Sequence, residues 1–259
     1  MMTHWMIALA GLSLPLFVLG PARGADAQPE TGQHAKVLDK QVEVKLDYLL
    51  YLPPDYNKDP DKKWPLMLFL HGSGERGNDV EKVKVHGPPK VVEQNKDSQL
   101  AKEFIVVSPQ CPAGKGWKSD ELEWLLDDTM AHYRVDADRV YLTGLSMGGF
   151  GTWDLAANAP QRFAAIVPMC GGGNAGMVRR VKDLPIWVFH GDADPAVPVQ
   201  RSDEMVKALK EAGADVTYTR YPGVGHDCWT RSYDNPELYK WLLSHKRGEK
   251  KTAAAAPAK

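Results

Sequence analysis

A mostly parallel β-sheet covered by helices on both faces, a three-layer α/β/α sandwich, is the architecture this sequence predicts. Three observations carry it. Short runs that are apolar at nearly every position recur along the chain, as strands buried on both faces require. Segments with one apolar stripe at helical spacing fill the gaps between them. Alternation of that kind closes as parallel strands joined by crossover helices. The length of 259 residues suits one large domain, and the 43% apolar and 25% charged fractions are those of an ordinary globular chain.

Taken in order, residues 1–27 read as a signal peptide. Residues 6–19 are apolar apart from Ser13 and Pro15, a run shorter than the roughly 18–20 residues that span a bilayer. It leads into Ala25-Asp26-Ala27, a small-x-small cleavage pattern, with Ala22-Arg23-Gly24 as a second candidate. The segment before it carries His4 and no Lys or Arg, which keeps an uncleaved anchor as the alternative. A cleaved leader implies an exported protein, periplasmic or extracellular, whose mature chain has no stable membrane association. Residues 28–35 read as a polar linker, and the folded domain is expected over 36–245.

Within that domain, residues 36–51 alternate, with Val42, Val44 and Leu46 on one side, and predict an N-terminal antiparallel hairpin. Doubly buried strands are predicted at 65–70, 104–107, 140–142, 164–167 and 186–189, and a more alternating one at 216–221. A helix over 119–133 gathers Leu122, Leu125, Leu126, Met130 and Tyr133 on one face, with Asp120 and Glu121 where the macrodipole favours acids. A second over 202–212 carries Met205, Val206, Leu209 and Ala212, with Gly213 placed to end it. Pro236 opens a third, carrying Leu238, Trp241, Leu242 and Leu243. Residues 246–259, basic and then Ala-rich, predict a disordered tail. The interval from Cys170 to Pro185 is too short for a cap domain.

The formal net charge of -1 gives no electrostatic reason for a nucleic-acid or anionic-membrane partner, and favours a small or neutral substrate. The three cysteines, Cys111, Cys170 and Cys228, lack C-x-x-C spacing, so no metal is expected. Small buried residues are their plainest reading, with a disulfide between two of them left open.

The chemistry centres on Gly144-Leu145-Ser146-Met147-Gly148. A strand leads into this G-x-S-x-G motif and a helical segment leaves it, as in a strand–turn–helix that exposes a serine at its apex. The turn is tight enough that only hydrogen side chains avoid collision on either side of the serine. A serine hydroxyl needs a neighbouring base to become a nucleophile. His226 is the candidate, in the loop Pro222-Gly223-Val224-Gly225-His226 after the 216–221 strand. Two carboxylates after the 186–189 strand compete to orient it, Asp192 and Asp194 in His190-Gly191-Asp192-Ala193-Asp194-Pro195. Asp194, one turn further out, is the better placed.

Stabilising a developing oxyanion calls for preorganised N–H donors. Met147, just after the serine, supplies one. The loop His71-Gly72-Ser73-Gly74-Glu75-Arg76-Gly77 supplies another, with Ser73 the first candidate and Gly74 its rival. Glu75 and Arg76 read either as a substrate-contacting pair or, preferably, as a structural ion pair. Trp117 and Trp229 fall on loops at the same edge, where they would bind substrate by stacking on an aromatic acyl group or a sugar, or else pack their own loops.

Together the blocks around Gly72, Ser146, Asp194 and His226 resemble the exported esterases of the α/β-hydrolase superfamily. These include the predicted peptidase and phospholipase/carboxylesterase group, and they are similar to feruloyl esterases, polyhydroxybutyrate depolymerases, dienelactone hydrolases and the prolyl oligopeptidase catalytic domain. The resemblance spans about residues 36–245. It implies a Ser146–Asp194–His226 triad without cofactor, acting on small-molecule or carbohydrate-linked esters such as acetyl or feruloyl esters of plant-wall sugars. Dienelactone hydrolases carry cysteine where this chain has Ser146, which argues against lactone specialisation. A peptidase of prolyl oligopeptidase type is the rival within the fold. A non-catalytic binding module on the same scaffold is the rival outside it.

Overall fold

The computed structural model describes residue 33 and residues 44–249 of the chain. Among these, seven strands form one sheet: β1 (Tyr48–Tyr51), β2 (Trp64–Leu70), β3 (Ile105–Pro109), β4 (Val135–Leu145), β5 (Ala165–Met169), β6 (Ile186–Gly191) and β7 (Val216–Tyr221). Their spatial order is β1-β3-β2-β4-β5-β6-β7. β1 runs antiparallel to β3, and every other pairing is parallel.

The run at β2 shows why the sheet sits in the middle. All seven of its residues are buried. Because successive side chains point to opposite faces, Leu66, Leu68 and Leu70 enter one core while Met67 and Phe69 enter the other. The first core is covered by α3 (Ser119–His132), α4 (Met147–Asn158), α5 (Val178–Val181) and α6 (Gln200–Glu211). The second is covered by α1 (Gly87–Gln94), α2 (Gln99–Glu103), α7 (Trp229–Tyr233) and α8 (Pro236–Leu243). Three layers result, as the sequence predicts.

Local signals set several boundaries. Leu122, Leu125 and Leu126 bury the inner face of α3. α6 gives way at Ala212 to Gly213, whose φ of +78° is the left-handed geometry expected of a residue just past a helix end. Asn235 caps α8 by accepting the Glu237 N–H, and Pro236 occupies the first turn, where no N–H is needed.

The structure also departs from expectation. β1 does not fold back on a sequence neighbour among the described residues; its partner is β3, with Tyr48 opposite Pro109 and Tyr51 opposite Val106. The other arm of the expected hairpin falls on residues 36–43, outside the described set. α1, α2 and α7 have no counterpart in the sequence reading. α1 begins Gly87-Pro88-Pro89, which breaks the apolar periodicity, and the other two are five residues each, too short to show one. Contacts continue past residue 245, where the Arg247 N–H donates to the Asp138 carbonyl at 2.8 Å and the guanidinium pairs with the Asp138 carboxylate at 3.0 Å. The expected leader and the remainder of the tail lie outside the described residues. Among the described residues no helix is long and apolar enough to cross a membrane. Between Cys170 and Pro185 the chain forms a short turn and α5, and no further domain.

The parallel strands all point their carboxyl ends to one edge. There β2 delivers His71, β4 delivers Ser146, β6 leads to Asp194 and β7 to His226, the edge where such sheets place ligands.

Candidate active site

Ser146 sits between β4 and α4 with φ 53° and ψ -118°, a region rarely adopted by a non-glycine residue. The surroundings hold it there. Its N–H donates to the Met169 carbonyl at 3.0 Å, and its carbonyl accepts the Phe150 N–H at 3.0 Å. The flanking glycines permit the close approach. A Cβ on Gly144 would stand 2.3 Å from the Gly148 carbonyl oxygen, and one on Gly148 would stand 1.8 Å from the Leu70 oxygen. Neither backbone obstacle can rotate away, so Gly148→Ala should force α4 off β2. We expect a loss of about 3 kcal/mol or more, read as a fall in Tm of roughly 6–12 °C. A Gly148→Ala protein melting within 2 °C of the wild type would contradict this packing.

Three distant side chains meet at that apex. Ser146 Oγ lies 3.0 Å from His226 Nε2, and His226 Nδ1 lies 2.7 Å from Asp194 Oδ2. The other carboxylate oxygen of Asp194 accepts the N–H groups of Ala196 and Val197 at 2.8 and 2.9 Å. Burial alone would raise the Asp194 carboxyl, but hydrogen bonds from His226 and from the Val197 and Ala196 N–H groups outweigh it, and the net displacement is downward. Asp194 is therefore ionised. It fixes the proton on His226 Nδ1 and leaves Nε2 free to accept from Ser146. Asp192, the competing acid, faces elsewhere: it accepts the Gly223 N–H at 2.7 Å and thereby pins the loop that carries His226.

A second histidine, absent from the sequence reading, touches the acid. The buried His190 places Nε2 3.2 Å from Asp194 Oδ2 and 2.9 Å from the Val197 carbonyl, and Nδ1 2.7 Å from Ser202 Oγ. Facing two acceptors, Nε2 carries a proton and donates, so Asp194 is held from both sides. The sequence signal was present in His190-Gly191-Asp192-Ala193-Asp194, where His190 precedes the acid by four residues.

The loop after β2 passes beside Ser146. A methyl built on Gly72 would stand 3.6 Å from Ser146 Cβ, whereas one on Gly74 meets nothing within 4 Å. Ser73 opens the single turn Ser73–Glu75, and Met147 opens α4. First-turn N–H groups have no partner within their own helix, which leaves both available. Glu75 and Arg76 are not an ion pair. Neighbouring side chains on a tight turn diverge: Arg76 donates to the Ser73 and Lys115 carbonyls at 3.0 and 3.1 Å. The Glu75 carboxylate turns inward toward His71 and His86, at 3.8 and 3.9 Å.

The two tryptophans divide. The Trp117 N–H is taken by the His71 carbonyl at 3.2 Å, and its ring packs edge-on to His71 and against Gly151, so it buttresses the loop rather than presenting a free stacking face. Trp229 is 8% exposed and stands edge-on to His226, with ring centres 5.1 Å apart. That burial corrects the expectation of an open stacking platform; its contact is with the base itself. All three cysteines are free and buried. Burial pushes the Cys170 thiol well up, and Cys228 beside it adds to the effect, which removes it as a competing nucleophile. Among the described residues Cys170, Asp194 and His226 form a possible metal-ligand group, with donor atoms within 4.8 Å of one another. Two of these are the paired acid and base, so a cation there would displace the proton they share.

The dienelactone hydrolase family profile matches residues 114–256. A bifunctional acetylxylan esterase/xylanase of Neocallimastix patriciarum is 29% identical over 189 residues, which cover 68% of this chain and 26% of that protein. Acyl-protein thioesterase 1 of Neurospora crassa is 26% identical over 209 residues, covering 65% of this chain and 82% of its own. Among solved structures, a thermostable esterase superposes with a TM-score of 0.68 at 36% identity, covering 79% of this chain and 60% of that one. The chain thus spans about a quarter of the first of these relatives and three-fifths of that esterase. With the family profile covering more than half of the sequence, the chain belongs to the dienelactone hydrolase family.

Proposed function

We propose that this protein is an exported serine esterase that cleaves carboxylic esters through an acyl-enzyme, with acetyl or feruloyl esters of carbohydrate as its substrates. The observation that carries the reading is the unbroken chain from Ser146 Oγ through both nitrogens of His226 to Asp194. His226 Nε2 takes the serine proton as Oγ attacks the ester carbonyl carbon. The tetrahedral oxyanion accepts hydrogen bonds from the Met147 and Ser73 N–H groups. His226 then returns its proton to the departing alkoxide oxygen, and the carbon–oxygen bond breaks to release the alcohol. A water deprotonated by the same nitrogen attacks the acyl-serine, which releases the acid and restores Ser146.

The open edge of the sheet, with no cap over Ser146 among the described residues, suits a bulky or polymer-linked ester better than a long acyl chain that needs shielding. The name of the acetylxylan esterase relative supports an acetylated sugar. Export rests on the apolar run at 6–19 and the small-x-small sites after it, and intact recovery of residues 1–27 on the exported protein would rule out the cleaved leader. A panel of acetyl, butyryl, octanoyl and feruloyl esters with a matched acetyl amide tests the reaction. We expect acetyl or feruloyl esters to lead octanoyl by about tenfold or more in kcat/KM, with the amide well below both. An amide turned over as fast as its ester would favour the peptidase reading instead.

A further inference from the structure

We propose that Glu75, with His86 beside it, forms a subsite for a hydroxyl group on the alcohol side of the ester, so that the substrates are esters of polyols or sugars bearing a free neighbouring hydroxyl. This rests on the esterase reading of Ser146. Glu75 is 8% exposed, yet its Oε2 is buried without a hydrogen-bond partner among the described residues. A buried carboxylate oxygen left in that state costs free energy unless a ligand supplies the donor.

Loop architecture does not explain the carboxylate. The loop is already held by Gln110, which donates to the Glu75 carbonyl at 2.8 Å, and by Arg76. Nor does His71 neutralise it. His71 Nε2 accepts the Cys111 N–H at 2.9 Å, so its one proton is on Nδ1 and goes to the Gly72 carbonyl at 2.6 Å. Burial pulls His71 below the usual imidazole range, outweighing the opposing effects of the Gly72 carbonyl and Glu75, and keeps it neutral.

The position is that of a substrate contact. A methyl built on Gly72 would stand 2.9 Å from Leu145 Cδ1, 3.3 Å from Glu75 Oε2 and 3.6 Å from Ser146 Cβ, so only Gly72 and Leu145 separate the carboxylate from the Ser146 side chain. From Glu75 the wall continues through His86 to Trp229 and on to His226, with ring centres 5.4 and 5.1 Å apart. His86 Nδ1 and Trp229 Nε1 on that wall are likewise buried without partners. His226 delivers its proton to the leaving alcohol, so a wall that begins at His226 flanks the alcohol rather than the acyl group.

Two size-matched ester pairs test this on the mature protein: 2-hydroxyethyl acetate against propyl acetate, and methyl glycolate against methyl propanoate. The first pair differs by a hydroxyl on the alcohol, the second by one on the acyl group. We expect the wild type to favour 2-hydroxyethyl acetate by about 10- to 100-fold in kcat/KM, the scale of a hydrogen bond to a charged group. Glu75→Gln should cut that ratio by about tenfold and leave the methyl glycolate ratio unmoved. Glu75→Asp, which keeps the charge and withdraws it by one methylene, should cut it too, and stands in if the Gln variant does not fold. A 2-hydroxyethyl acetate ratio equal in wild type and variants, or a change confined to methyl glycolate, would overturn the subsite while the esterase reading stands. No turnover of any of the four esters by folded wild type would overturn both.

Discussion

Ser146→Ala should lower turnover of p-nitrophenyl acetate by about six orders of magnitude, the scale seen when the nucleophile of another serine hydrolase is removed. The geometry explains why so much rides on one oxygen. His226 Nε2 has its hydrogen-bond contact with Ser146 Oγ at 3.0 Å, and the neighbouring thiol of Cys170 is buried and held in its protonated form. Among the described residues no other nucleophile stands ready at the base. Alanine keeps the Cβ, so the unusual backbone at φ 53° costs the variant no more than the wild type, and the fold should survive. On the proposed oxyanion assignment, residual activity would come from the Met147 and Ser73 N–H groups and from substrate binding, which leave some rate enhancement when a triad is broken. Covalent labelling by a fluorophosphonate should vanish in the same variant. Turnover within tenfold of the wild type, in protein that still melts cooperatively, would remove Ser146 from the chemistry.

Much of this arrangement is legible in the sequence because the physical demands are local. A strand covered on both faces must be apolar at consecutive positions, and β2, β3, β5 and β6 declare themselves that way. Gly144 and Gly148 are legible for a similar reason: a Cβ at either would enter a neighbouring backbone, so only one residue type fits. Side-chain direction is harder to read. Asp192 and Asp194 lie on one short loop, and only the folded path of residues 222–226 shows that one carboxylate takes the Gly223 N–H while the other meets His226. Glu75 and Arg76 suggested a pair because adjacent opposite charges attract, but the turn at Ser73–Glu75 sends the two side chains apart. His86 carries no local signal at all. Its relation to Glu75 and Trp229 arises from the packing of α1 against α7, two elements more than a hundred residues apart.

These less legible contacts give the site its directionality. Around Ser146 one side is backbone: the loop after β2, the start of α4 and the Met169 carbonyl that fixes the serine N–H. The other side is a row of aromatic and ionisable side chains that runs from His226 through Trp229 and His86 and closes back on that loop at Glu75. The backbone side suits a developing oxyanion, because N–H dipoles fixed by secondary structure need no reorganisation as charge builds. The side-chain side suits recognition, because its groups differ in charge and hydrogen-bonding capacity. Sequence reading reaches the first side through glycines and helix starts, and reaches the second only through the fold.

Asp194→Asn should lower kcat by about four orders of magnitude, although the replacement has nearly the same shape. One oxygen of Asp194 accepts two backbone N–H groups, from Ala196 and Val197, so the amide oxygen must take that place. The amide NH₂ is then forced into the position of Oδ2, facing His226 Nδ1. To avoid two donors meeting, His226 must give up the Nδ1 proton and carry it on Nε2 instead. That nitrogen then donates to Ser146 Oγ and cannot accept from it. The same exchange removes a pH dependence. Because the folded-state pKa of Asp194 is lowered, its ionisation stabilises the fold fully above the ordinary aspartate value of about 3.9 and loses that contribution as pH falls through the lower folded value. The stability gap between wild type and Asp194→Asn, measured by urea unfolding, should therefore be steady at neutral pH and narrow below about pH 4. Asp192→Asn is the control. Its carbonyl can still accept the Gly223 N–H, so turnover should stay within about tenfold of the wild type, the loss of an ion contact 3.9 Å from Arg220 being minor. Should Asp192→Asn prove the more damaging of the two, the acid of the triad would have to be reassigned.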